Sequence, residues 1–169
     1  MVRICDLKRW TRHFFSPPGA LRRRFSPSVL KSIETAVGNS EKIHNGEIRF
    51  AVEASLPLRD LFAGVSPRER AEELFSDLRV WNTENNNGVL IYINLADRDV
   101  EIVADRGLNK KISGAEWESV CHSMETHFRE GHFEQGALAG IEGATQLLSR
   151  HFPAQSNTPN ELSNKPTLL

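Results

Sequence analysis

Asn85-Asn86-Asn87-Gly88-Val89-Leu90-Ile91-Tyr92-Ile93-Asn94-Leu95-Ala96-Asp97-Arg98-Asp99-Val100-Glu101-Ile102-Val103-Ala104-Asp105-Arg106-Gly107 is the stretch that decides the fold. An Asn-Gly turn opens an apolar run, and a short polar turn joins it to a second β-branched run. That pattern is a β-hairpin. Val89 to Ile93 shows no polar alternation, so both its faces must be covered and it must be a central strand with helices packed on it.

Working outward from the hairpin, the segment Glu47 to Glu53 alternates. Ile48, Phe50 and Val52 lie on one face, and Glu47, Arg49 and Glu53 with Ala51 on the other, which predicts a strand with one wetter face, nearer an edge. Ser66-Pro67-Arg68-Glu69 is a capping box with proline at the first helical position, and Ala71, Leu74, Phe75 and Leu78 follow on one face. A strand, helix, strand order predicts parallel pairing of the Ile48 and Val89 strands through a crossover helix. Residues 100–105 then add antiparallel.

Ser26-Pro27 starts an earlier helix, with Val29, Leu30, Ile33, Ala36 and Val37 at helical spacing. Ser113-Gly114-Ala115-Glu116 is a second capping box, and Trp117, Val120, Cys121, Met124 and Phe128 form the stripe of the helix it opens. A last helix from Phe133 turns Ala137, Ile141, Ala144 and Leu148 inward, with Gly136, Gly140 and Gly143 allowing close approach, until Pro153 stops it. The expected fold class is α/β, a mixed sheet made of a parallel β-α-β crossover plus an antiparallel hairpin, between helices. The organisation is a basic arm over residues 1–25, a domain over 26–152 and a tail over 153–169. That tail is rich in Asn, Ser, Thr and Pro and is expected to be disordered.

The 169 residues suffice for one domain with a proper core. A net charge of -1 argues against general nucleic-acid affinity. Two distant cysteines, Cys5 and Cys121, suggest neither a disulfide framework nor a zinc ribbon. A reducing compartment fits best, and with no signal peptide or spanning run of about 20 apolar residues the cytoplasm is the expected location.

Charge is uneven along the chain. Arg3, Lys8, Arg9, Arg12, Arg22, Arg23 and Arg24 face only Asp6 within the first 25 residues. Leu7, Trp10 and Phe14 fall on one helical face of this arm. Basic residues beside aromatic rings are what a surface-lying helix uses, its rings entering the interface while Lys and Arg meet anionic head groups. The alternative is an arm whose aromatics pack on the domain.

The quoted hairpin with its Asn-Gly-Val opening, its Asp97-Arg98 turn and Gly107-Leu108, followed by Phe128-Arg129-Glu130-Gly131-His132-Phe133-Glu134-Gln135-Gly136, resembles the TPM domain family of thylakoid lumen and bacterial proteins. Arg49-Phe50-Ala51-Val52-Glu53, Trp81 to Gly88 and Ala104 to Gly107 look like its short soluble bacterial subgroup without a membrane anchor. The likeness covers about residues 26–152. It implies a mixed sheet between helices, and the labels the family carries include acid-phosphatase-like phosphomonoester hydrolysis, a divalent-metal site and roles in maintaining membrane complexes. Where family members carry an acidic motif before the first helix, this chain has Arg22-Arg23-Arg24-Phe25. That departure weighs against metal and phosphatase chemistry.

Parallel pairing would bring one set of polar residues to one end of the sheet: Glu41, His44, Glu47, Glu84, Asn86 and Asp105, with Arg106. Carboxylate and amide oxygens are what Ca²⁺ or Mg²⁺ accept, in sets of about six or more. As a phosphatase the chain would use Asp105 as ligand and Arg106 to steady the phosphoryl oxygens. Without a metal, Asn87-Gly88 is a left-handed turn, Asp105 and Arg106 an ion pair, and Glu41 a turn cap.

At the other end, Asp97, Arg98 and Asp99 read as turn formers. His122 between Glu118 and Glu125 reads as a solvated helix face, and Cys121 as core. Two functions follow. One is a non-catalytic cytoplasmic interaction module, peripheral at the inner membrane face, that docks by residues 1–25 to a protein partner or an anionic membrane. The alternative is the divalent-metal-dependent phosphatase.

Overall fold

The computed structural model describes residues 4–15, 19–154 and 159–169. Arg3 and Pro17-Pro18 of the arm lie outside them. The elements in chain order are α1 (Ile4–Phe14), α2 (Ala20–Arg24), α3 (Pro27–Ser40), β1 (Glu47–Glu53), α4 (Leu58–Ala63), α5 (Pro67–Asp77), β2 (Gly88–Asn94), β3 (Asp99–Ala104), α6 (Gly114–Arg129), α7 (Phe133–His151) and β4 (Thr167–Leu168). The sheet order is β3-β2-β1-β4. β1 runs parallel to β2 with Ile48 opposite Val89, and β3 returns antiparallel with Ile91 opposite Ile102.

Local chemistry sets the helix starts. Ser66 and Ser113 each accept the N3 amide while Glu69 and Glu116 return to the cap amide, completing both capping boxes. The Ser26 hydroxyl accepts the Val29 amide with Pro27 at the first turn. One face of the sheet carries Ile48, Phe50, Val89, Ile91 and Ile102 against α3, α6 and α7; the other carries Ala51, Leu90, Tyr92 and Val103 against Ala71 and Leu74 of α5. α6 and α7 approach so closely that a Cβ at Gly140 would strike the Met124 side chain. Among the described residues no helix is long and apolar enough to cross a membrane.

Three sequence expectations change. In the Asn-Gly turn before β2 the left-handed residue is Asn86, with φ 50°, and Gly88 is needed because a Cβ there would collide with the Val80 carbonyl oxygen. The wetter face of β1 is buried: Glu53 is 2% exposed, because its carboxylate is matched by Arg70 and the Tyr92 hydroxyl. Thirdly, the tail expected to be disordered returns to the sheet. Thr167–Leu168 pairs parallel with Ala51–Val52, and Arg49 donates to the Ser163 carbonyl at 2.5 Å and the Thr167 hydroxyl at 2.8 Å. Its order comes from partners distant in sequence, which composition does not reveal.

A chain ending before residue 159 would leave the Glu47 carboxylate and the β1 edge without these partners. It is expected to lose about 2 kcal/mol in urea unfolding and to self-associate through the bared edge, seen by light scattering. An unchanged midpoint would show that the tail only rests on the sheet.

Candidate functional site

The predicted acidic end is partly engaged in holding the fold. Glu41 Oε1 accepts the Ile48 amide at 3.0 Å, and burial pushes its carboxyl up to about 7. His44 is 1% exposed, its Nδ1 accepts the Gly46 amide, and burial pushes it down to about 4, so it is neutral. Glu47, also raised by burial, accepts the Leu162 amide at 3.0 Å. The Glu84 amide donates to the Glu161 carboxylate.

Asn86 Oδ1 accepts Arg106 Nε and Nη2 at 3.2 and 3.1 Å, while Asp105 Oδ1 accepts the Arg106 amide at 2.6 Å. Glu47 and Glu84 thus meet the returning tail. Glu41 Oε2, His44 Nε2, Asn45 Oδ1, Asn87 Oδ1 and Asp105 Oδ2 are left buried without hydrogen-bond partners. Among the described residues, no three ligand atoms from Glu41, His44, Glu47, Glu84 and Asp105 lie within 4.8 Å of one another. The carboxylates and imidazole of this set are therefore not gathered around a single point as three ligands.

The opposite end of the sheet is built differently. β1 and β2 both point their carboxyl ends there, the usual place for a ligand crevice in an α/β sheet. A cleft of about 410 Å³ opens beside Asn94, Leu95, Arg98 and Asp99, closed by Arg24, Phe128 and Phe133. The Arg24 guanidinium lies 4.9 Å above the Phe133 ring, which stacks on Phe128 at 5.5 Å. Burial, then the nearby Arg98 charge, holds Arg24 below the ordinary guanidinium value. Burial, with Glu101 and Glu125, pushes Asp99 up to about 6. Nothing local in the sequence marks this cleft. The one available signal was the rule that ligands gather off the carboxyl ends of parallel strands.

The hairpin turn does more than reverse the chain. Asp97 accepts Arg9 Nε and Nη2 at 2.9 and 2.8 Å, and His13 Nε2 lies 3.1 Å from Asp97 Oδ1. His13 Nδ1 accepts the Leu56 amide at 3.0 Å, which puts the imidazole proton on Nε2, facing Asp97. Arg9 also reaches the Val65 carbonyl. Burial alone would raise Asp97, but hydrogen bonds from His13 and Arg9 outweigh it and hold the carboxyl at about 2.

α1 is thereby clamped to the domain. Trp10 meets Phe62 of α4 edge-on at 4.6 Å and Phe14 at 6.4 Å. Trp10 packs on the domain, as the second expectation for the arm has it, while Leu7, Phe14, Leu58 and Phe62 are each more than half exposed. Lys8 and Arg12 are exposed on the same helix. The remaining polar features match their sequence reading. His122 stands exposed between Glu118 and Glu125, and Cys121 is buried, its thiol pushed up to about 12 by burial.

A mixed sheet between helices, with a clamped N-terminal helix and a cleft off its parallel strands, defines a small α/β domain. The chain belongs to the TPM domain family, whose model matches residues 22–147. It is similar to the BA42 protein of the psychrophilic bacterium Bizionia argentinensis, known from an NMR structure: 31% identity, 85% of this chain and 94% of that one, TM-score 0.71. The N-terminal domain of a P. gingivalis protein shares the fold at 20% identity, over 78% of this chain and 82% of that one, with a TM-score of 0.61. No curated protein matches.

Proposed function

We propose that the chain is a non-catalytic interaction module that works at an anionic membrane surface, on the cytoplasmic face of the inner membrane, beside a membrane-associated partner. The observation that carries this reading is the α1–α4 face, where Phe14 and Phe62 contact the half-buried Trp10 and the same two helices expose Leu7 and Leu58. Contiguous exposed apolar groups mark an interaction site, and isolated ones do not. Lys8 and Arg12 beside the rings supply the charge that anionic head groups attract. The Asp97 clamp fixes the face in advance, so binding need not fold the helix.

Vesicle co-sedimentation tests the proposal. Vesicles containing phosphatidylglycerol should retain the protein, neutral vesicles should not, and raised salt should release it. Leu7→Ser with Phe14→Ser changes only exposed side chains, and should weaken retention about tenfold or more through lost apolar burial. Equal retention of this variant and the parent would refute the proposal.

The metal-dependent phosphomonoester hydrolase is the second reading, and the hydrogen bonds taken up by the side chains of Glu41, Glu47 and Asn86 count against it. Divalent-ion-dependent phosphate release that Asp105→Asn abolishes while leaving the fold intact would reinstate it.

A further inference from the structure

α6 ends in a Schellman motif. Gly131 takes φ 83°, its amide donates to the Phe128 carbonyl at 3.1 Å, and the His132 amide donates to the His127 carbonyl at 2.9 Å. These two bonds make residues 127 and 132 neighbours across the helix end, a pair of positions that ordinarily holds an apolar contact. Here both are histidines. The cap residue between them, Glu130, adds a carboxylate whose Oε2 lies 3.3 Å from His132 Nδ1. One ligand atom from each of His127, Glu130 and His132 lies within 4.8 Å of the other two.

From this cluster we propose a transition-metal site: His127, Glu130 and His132 bind one Zn²⁺-class ion through two imidazole nitrogens and one carboxylate oxygen, with a fourth position open to water. Imidazole suits zinc and its neighbours, whereas Ca²⁺ and Mg²⁺ need oxygen shells, so the chemistry differs from the hard-cation set expected at the acidic end. Zinc–nitrogen bonds of about 2.0–2.1 Å require the ligand atoms to draw somewhat closer. Backbone hydrogen bonds already close the loop, so side-chain rotation suffices for this. The His132 and Glu130 side chains are 56% and 61% exposed and are free to make it. The nearby cation Arg129 is occupied by Glu125 at 3.5 Å. Glu130 and Gly131 also line the cleft, which puts the ion at its rim.

The site stands apart from the membrane reading and is tested apart from it. The full chain is titrated with Zn²⁺ by calorimetry and with Co²⁺ by visible absorption, while the imidazole resonances are followed by NMR. One ion per chain is expected, with His127 and His132 resonances moving together and Ca²⁺ and Mg²⁺ moving neither. His127→Gln, His132→Gln and Glu130→Gln should each weaken Zn²⁺ about tenfold or more, since even an outer partner of a ligand is worth that much. His122→Gln should change nothing. The proposal fails if no saturable binding occurs, if the three variants bind as the parent does, or if the shifts centre on His122. Circular dichroism of each variant confirms that the helices persist.

Discussion

Replacing Asp97 by alanine is expected to undock α1. The change removes the acceptor of two Arg9 hydrogen bonds and the partner of His13, which is 5% exposed. Breaking a buried pair from one side strands the other charge, at about 3–5 kcal/mol. Local opening caps the loss of global stability at whatever α1 docking is worth, so amide exchange is the more sensitive readout. Amides of residues 9–14 should be protected in the parent and exchange as an open chain in Asp97→Ala, with a modest fall in the urea midpoint. Retained protection would mean that the Trp10–Phe62 contact holds the helix unaided.

The same clamp should respond to acid. A carboxyl held at about 2 against an ordinary value of 3.8 stabilises the fold fully above pH 3.8, and this contribution fades as pH falls through 2. α1 protection should therefore be lost across that window, ahead of the sheet.

Glu53→Ala is expected to cost global stability directly, because no local opening relieves it. The carboxylate accepts Arg70 Nε and Nη2 at 3.2 and 2.9 Å and the Tyr92 hydroxyl at 2.6 Å, between β1 and α5. Removing it leaves a guanidinium 13% exposed and a phenol wholly buried, for about 3–5 kcal/mol in urea unfolding. Replacing the ion pair with apolar groups, Glu53→Leu with Arg70→Met, should cost less than the single change. A single variant within about 1 kcal/mol of the parent would show that water reaches these groups and replaces the pair.

What the sequence made legible was what depends on neighbours a few residues away. Ser66 with Glu69 and Ser113 with Glu116 announce their helices, and the unbroken Val89–Ile93 run announces a strand covered on both faces. The residue class of β1 misled, since Glu47, Arg49 and Glu53 mimic a wet face until Leu162, Thr167 and Arg70 arrive from elsewhere in the chain. Asp97 read as a turn former because its partners lie 84 and 88 positions away. Of the candidate site, parallel pairing rightly placed β1 and β2 side by side, but it could not reveal that the tail would engage Glu47 and Glu84. The His127–His132 pair was hidden in a helix ending, because the geometry of that ending had to be seen before two histidines five residues apart became neighbours.

The depth of Trp10 in a bilayer tests the central claim most directly. With Trp81 and Trp117 replaced by phenylalanine, Trp10 fluorescence is recorded on phosphatidylglycerol-containing vesicles whose acyl chains carry bromine at different depths. Docking by the α1–α4 face predicts a blue shift and strongest quenching by the shallowest bromines, as expected of a helix lying in the interface. An unshifted emission without quenching, under conditions where the protein nevertheless sediments with the vesicles, would contradict it and place the contact on another face.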